Sequence, residues 1–403
     1  MEVPDADLTN LTRAEWRRIG ISGYGPTLVA SIGFGAVIPL VALAARDLGA
    51  TVGQAAFVTA LLGIGQLIAD LPAGTIAERL GEKWAIVLAC LVDAVALSVM
   101  WWTDNLIVLG AAVTVQGMAG AIFALARQVY LTEAIPLRFR ARALSSLGGV
   151  FRIGFLVGPL AGAWIIGRWS LSAAFAFAAL TSVIAAVITL ALPDLPDRAS
   201  PGVVRRRVGL LTVVRDHRRV LATLGVGVLA IMLVRTARQT ILPLWCDAHG
   251  ISPATTSLIF AVSMGFDVLL FLPGGVLIDR FGRWWGSVPS ITAMGMGFLL
   301  LVFAHAPWSI VAVAAFLGVA NGLSSGIVMT LGSDASPAEG RAQFLSVWRL
   351  FSDTGNAVGP LVITAITAFA PLATAVASLG FIALAGGGWL AHHVPGRPTR
   401  GRQ

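Results

Sequence analysis

The chain has too little charge for a soluble surface of its size. Charged residues make up 12% of the 403 and hydrophobic residues 57%, and the mean hydropathy is +0.85, whereas soluble domains carry roughly a quarter charged residues. Cysteine is scarce as well. Cys90 and Cys246 are the two present, both in or beside apolar runs in different halves of the chain, so they read as small hydrophobes rather than a disulfide. The five histidines lie mostly at segment ends and tails, and His392–His393 form no metal set. The first twenty residues are polar and mixed in charge, so the first apolar run is expected to be an uncleaved helix. Short alternating strands of the kind that build a membrane barrel are absent as well.

What the chain has is apolar runs, repeated along its length. About 20 residues are needed to cross a hydrocarbon core, and backbone polar groups there must be satisfied within the segment, which makes such runs helices. Twelve are expected: about 20–45, 52–77, 84–103, 106–134, 142–167 and 171–192, then about 219–246, 254–278, 285–304, 308–333, 343–368 and 372–393. The fold class is therefore an all-α integral membrane protein of twelve transmembrane helices. Its expected divisions are a tail at 1–19, a six-helix bundle at 20–192, a basic linker at 193–218, a second bundle at 219–393 and a tail at 394–403. LTRAEWRRI in the first tail is expected to lie as a short amphipathic helix on the membrane surface. If both termini are cytoplasmic, the outer loops hold only Arg46 and Arg168, while Arg138, Arg140, Arg142 and Arg205–Arg207 fall inside. That asymmetry fixes the expected orientation in the cell membrane. It also accounts for the net charge of +8 without a nucleic-acid partner.

The two bundles are copies. FLPGGVLIDRFGRWW, from Phe271 to Trp285, repeats DLPAGTIAERLGEKW, from Asp70 to Trp84. Leu71/Leu272, Pro72/Pro273, Gly74/Gly275, Arg79/Arg280, Gly81/Gly282 and Trp84/Trp285 are shared, and Glu78 and Asp279 keep the acid. At the same offset Gly154-x-x-x-Gly158-Pro159-Leu160 matches Gly355-x-x-x-Gly359-Pro360-Leu361, Glu133-x-x-Pro136-x-x-x-Arg140 matches Asp334-x-x-Pro337-x-x-x-Arg341, and Gly117 matches Gly318. Each copy has an even number of segments, so the copies enter the membrane in the same sense, a parallel repeat.

These residues resemble the major facilitator superfamily over nearly the whole chain. The loop signature stands as Gly275, Asp279, Arg280, Gly282 and Arg283, and again as Gly74, Glu78, Arg79, Gly81 and Lys83. Gly154, Gly158, Pro159 and Gly162 look like the segment-five motif of the family's exporters. The resemblance implies two rocking six-helix bundles, a cavity lined by segments one, four, seven and ten, and a drug-efflux-like proton antiporter working as a monomer without cofactors. Its loop residues would act as latches that pair in one global state and break in the other. Two positions depart from the pattern: Val113 stands where such antiporters often carry an arginine, and segment one has no acid between Gly20 and Arg46.

Charges inside the membrane point to function. One at mid-bilayer costs about 2.5–3.5 kcal/mol, so those retained face a cavity or a partner. Arg152 in segment five and Asp267 in segment eight are expected to pair between the halves, serving as glue rather than a switch. Asp353 has no arginine evident across from it, although Arg349 one turn below could quench it. It is thus the leading proton-coupling candidate, ahead of Asp267 and Asp93. Arg235 and Arg238 share a helix face. With Arg127 they would attract an anionic or polar group, unless they pair with Asp93, Asp70 or carbonyls. Gln116, Gln239, Asn321 and Asn356 are candidate polar contacts, and Phe123 and Trp245 candidate walls, though a Trp near a helix end is more often an interface anchor. The Gly-x-x-x-Gly-Pro stretches are expected to pack the halves against each other. A small-molecule substrate follows, exported if amphipathic, with an organic anion or polar metabolite as the other reading. No phosphate-binding loop supports direct ATP drive. No nucleophile–base pair, metal cluster or cofactor motif supports an intramembrane enzyme, and no long tail or added domain suggests a scaffold.

Overall fold

The computed structural model describes residues 13–134, 137–191, 210–324, 326–337 and 340–394. Most of the 193–218 linker, residues 1–12 and 395–403 of the outer tails, and the side chains of Glu133, Arg138, Arg140 and Arg142 lie outside the described residues. The first half is α1 (Arg13–Asp47), α2 (Val52–Leu80), α3 (Glu82–Trp102), α4 (Leu106–Ala134), α5 (Leu137–Arg168) and α6 (Leu171–Leu190). A short α7 (Leu210–Asp216) follows. Then α8 (Arg218–Val220) runs through a π turn (Leu221–Gly225) into α9 (Val226–Ala248). The second half continues with α10 (Pro253–Phe281), α11 (Arg283–Leu301), α12 (Pro307–Leu323), α13 (Ile327–Ala335), α14 (Arg341–Thr367) and α15 (Leu372–His393).

The repeat read from the sequence governs the helix boundaries. Val52 and Pro253 start α2 and α10, and Leu80 and Phe281 end them, at one constant offset. Both helices begin under a hydroxyl cap. Thr51 accepts from the Gln54 amide, and Gln54 returns a bond to the Thr51 amide in a full capping box. Ser252 caps the Thr255 amide in the same place. Such caps satisfy donors that the helix itself cannot. The two shared turns close on Gly81 and Gly282, with φ of 78° and 98°, a region that a side chain strains.

Three local expectations are corrected. Residues from Arg13 continue straight into α1 rather than forming a separate surface helix. Part of the expected linker is helical, as α7. The tenth segment is broken between α12 and α13, where Gly326 is left-handed with φ of 79°.

Within the first half α1 packs on α5 and α6, α2 on α4, and α3 on α4 and α6; in the second, α9 packs on α14, α10 on α12 and α11 on α15. The halves meet along two seams, α2 against α14 and α5 against α10. The glycine motif was expected to pack the halves together, and it does not. A side chain at Gly154 or Gly158 would strike Ser31 or Ile32 of α1, and one at Gly355 or Gly359 would strike Leu229 or Leu233 of α9. The motif therefore welds each half internally. Gly74 and Gly275 make no close helix approach either. The tight contact is at Gly274, where an added side chain would lie 2.7 Å from the Gly322 carbonyl.

Outward surfaces are apolar. Ile107, Leu269, Leu272 and Phe303 are exposed, with Trp102, Trp169 and Trp308 at one end and Trp84, Trp285 and Trp389 at the other. That is the pattern of a lipid-facing belt with aromatic rims. Among the described residues eleven helices are long and apolar enough to cross a membrane. α14 is not among them; its apolar stretch is diluted by Ser352, Asp353, Thr354 and Asn356. The protein is a multi-pass membrane protein of the twelve-helix, two-bundle class.

Candidate functional site

A cavity of about 430 Å3 lies between the halves, bordered by α1, α2, α4 and α5 on one side and α9, α10, α12 and α14 on the other. Gln116, Arg235, Arg238, Gln239, Asn321 and Asn356 all border it, as do Arg152 and Asp267. Arg127, expected there too, does not. It borders a smaller cavity of about 150 Å3 enclosed by the first half, together with Asp93 and Phe123. Trp245 is neither a cavity wall nor an interface anchor: it is buried, and its indole N–H donates to the Ala304 carbonyl at 2.7 Å. Cys90 and Cys246 are buried and unpaired.

On the α5–α10 seam Arg152 and Asp267 pair as expected. Asp267 is shared more widely than one partner. Its Oδ2 accepts from Asn321 Nδ2 at 2.6 Å and lies 4.0 Å from Arg238 Nη2. Arg238 also donates to Ser263 Oγ at 2.6 Å, and Arg152 stacks 4.7 Å over the Phe271 ring. Arg235 donates to Ser324, at 2.6 Å to the hydroxyl and 2.8 Å to the carbonyl. That carbonyl, at the break between α12 and α13, also accepts from the Ile327 amide at 3.2 Å. The side-chain Nε atoms of Arg235 and Arg238 remain buried without a partner. Two arginines thus share the Asp267 carboxylate on this side of the cavity, and a third, Arg235, is held by Ser324.

The α2–α14 seam has the opposite sign. Arg349 reaches Asp353 and Asp70, each at 3.2 Å, so two carboxylates from different halves share one guanidinium. Arg349, one turn below, does reach Asp353, the quenching contact expected of it. The turn below it carries the partner, and Asp70, weighed only as a partner for the cavity arginines, completes the group. Thr236 of α9 donates to Asn356 Oδ1 at 2.8 Å beside it. Arg127 pairs with neither Asp93 nor Asp70: Asp93 accepts from Ser182 Oγ at 2.6 Å.

The two ends of the cavity differ. At the end away from the termini, Arg46 of α1 pairs with Asp247 of α9 at 2.8 Å. These residues are 201 apart, the repeat offset itself, so each meets its own counterpart across the approximate two-fold axis. That offset was the signal that would have found the pair. At the end bearing the termini, Glu78, Arg79 and Asp279 are exposed and have no ion-pair partner among the described residues. Arg283 pairs with Asp334 at 2.7 Å inside its own half, and Arg280 lies over Phe281. The cavity reaches toward this end at Gly148.

The family model described as Major Facilitator Superfamily matches residues 27–245 and again 224–402. The chain belongs to the major facilitator superfamily. As a member, it is similar to the quinolone resistance protein NorA of Staphylococcus aureus strain MSSA476. The two are 24% identical over 343 residues, which cover 83% of this chain and 86% of NorA. Solved members share its fold. A bacterial homolog of the human lysosomal transporter Spinster superposes with a TM-score of 0.75 at 14% identity, covering 95% of this chain and 96% of that one. The nucleoside transporter NupG gives 0.71 at 13% identity, covering 93% and 99%.

Proposed function

We propose that this protein is a secondary active transporter that works by alternating access and exports small amphipathic compounds in exchange for protons. The observation that carries the reading is a cavity enclosed by two repeated halves and flanked on both seams by charges that span the halves. Such charges are retained in a membrane where they serve a path or a partner. Similarity to NorA, named for quinolone resistance, supports export of drug-like compounds. On the α2–α14 seam two carboxylates share one guanidinium, so the group carries one more acid than base. A proton taken by Asp353 or Asp70 would change the bond between the halves, which is what coupling requires. Asp267 stays with Arg152 as glue.

The distribution of arginine supports cytoplasmic termini in a cell-membrane protein. The state with Arg46–Asp247 joined is then closed outside and inward-facing, and the cytoplasmic turns are latches released in it. Gly74, Gly81, Lys83 and Gly282 shape those turns, and Glu78, Arg79, Asp279 and Arg280 engage when that side closes. One chain encloses the whole path, so it acts as a monomer.

One observation favours a second reading, transport of an organic anion: Arg152, Arg235 and Arg238 surround one carboxylate and leave two Nε donors unpaired. Proteoliposomes with an imposed pH gradient test both, using cationic, neutral and anionic dyes. The exporter reading expects gradient-dependent movement of cationic or neutral dyes. Movement of the anionic dye alone would favour the second, and no gradient dependence for any would refute proton coupling.

A further inference from the structure

The smaller cavity sets two side chains of opposite charge, Arg127 and Asp93, in a mostly apolar lining. Arg127 is held between Phe123 and Phe151, its guanidinium 5.4 and 5.5 Å from their ring centres. Its Nε and Nη1 are buried with no hydrogen-bond partner among the described residues. Asp93 borders the same cavity, held by Ser182, yet no ion pair joins it to Arg127. A buried charge without a partner is costly, and a merely structural guanidinium would have one.

The repeat shows that the fold does not need these groups. The positions equivalent to Asp93, Arg127 and Ser182 in the second half are Met294, Val328 and Ala383. There the same helices close over an apolar core in which Met294 and Ala383 are buried. The first half has an opening and two opposite charges where its twin carries only apolar side chains. The opening shares Phe34, Gln66 and Phe151 with the central cavity, so it is a side pocket of the transport path.

We propose that this side pocket binds the polar end of amphoteric compounds, with an acidic oxygen group on Arg127 and a protonated amine on Asp93. A larger molecule extends past Phe34 and Gln66 into the central cavity. The inference deepens the transporter reading and rests on it for calling the ligand a substrate, but not for binding.

The test is equilibrium binding to the full chain in detergent micelles, measured by calorimetry. Three probes on one benzene ring serve: p-aminomethylbenzoate, which is zwitterionic, p-toluate, which is anionic, and p-methylbenzylamine, which is cationic. The zwitterion is expected to bind at least tenfold tighter than either single-charge probe. Arg127→Gln should remove its advantage over the amine, and Asp93→Asn its advantage over p-toluate. Gly120→Leu provides a variant with charges unchanged. A side chain at Gly120, which borders the pocket, meets nothing within 4 Å, and leucine favours a helix over glycine. It should fill the pocket and abolish the zwitterion preference at unchanged thermal stability. Equal affinity for the zwitterion and p-toluate, or a preference that survives Gly120→Leu, would overturn the proposal. If Arg127→Gln fails to fold, Arg127→Lys and Gly120→Leu decide the matter. Binding without transport in liposomes would refute the transporter reading and leave this site standing. Transport without Arg127-dependent binding would refute the site alone.

Discussion

Asp267 holds three donors at once, and its removal should be felt more than that of any one of them. With Arg152→Ala the carboxylate keeps Asn321 and the nearby Arg238. With Asp267→Ala, two guanidinium groups lose the one carboxylate they pair with among the described residues. Breaking a buried pair from the side that leaves charge uncompensated costs on the order of 3 kcal/mol. Asp267→Ala should therefore lower the melting temperature in micelles clearly more than Arg152→Ala. The double variant should be milder than the sum, and additive losses would reject the coupling. The pair was legible in the sequence because both charges stand mid-segment and few other partners existed at that depth. The tie to Asn321 was not, since an amide in an apolar run signals no direction. The Arg349–Asp353 contact was legible as well, whereas the tie to Asp70 was not. Arg349 lies four residues away on the same helix face, and its second bond, to Asp70, depends on how α2 and α14 lean together.

At the scale of the helix, small residues decide which surfaces touch. Gly158 sits against the α1 backbone and Gly359 against α9, so Gly158→Val should overpack the α1–α5 contact and cost about 1–3 kcal/mol. The loss should appear as lowered thermal stability, with the seam pairs Arg152–Asp267 and Arg349–Asp70 still forming. A valine that left stability intact would contradict the packing described. The helix boundaries were largely legible, because cap residues, turn glycines and apolar run lengths recur at one offset. What the sequence did not reveal was the partner of each glycine face, since a small-residue stripe permits close approach without naming the neighbour. It also did not reveal the break after α12. Ser324 and Gly326 allow it, and Arg235, 89 residues away, binds the Ser324 carbonyl there.

Across the whole molecule, opposite charges meet at both seams and at one end. Arg46 and Asp247 occupy equivalent positions in the two copies, so the duplication had to diverge in charge there for the axis to attract. Each side chain is about a third exposed, so the pair contributes about 1 kcal/mol or less, enough to bias a balance between states. Arg46→Asp should open that end, seen as a longer distance between spin labels on α1 and α9. Adding Asp247→Arg should restore the closed distance, and no restoration would remove the pair from the mechanism.

The central claim, that a proton on the α2–α14 carboxylates is exchanged for substrate, has one direct test. Proteoliposomes loaded with a pH-sensitive dye would report protons moved when a transported compound is added, for the wild type, Asp70→Asn and Asp353→Asn. The account predicts substrate-induced proton movement in the wild type and its loss in at least one of the two variants, with the compound still bound. Undiminished proton movement in both variants would contradict it.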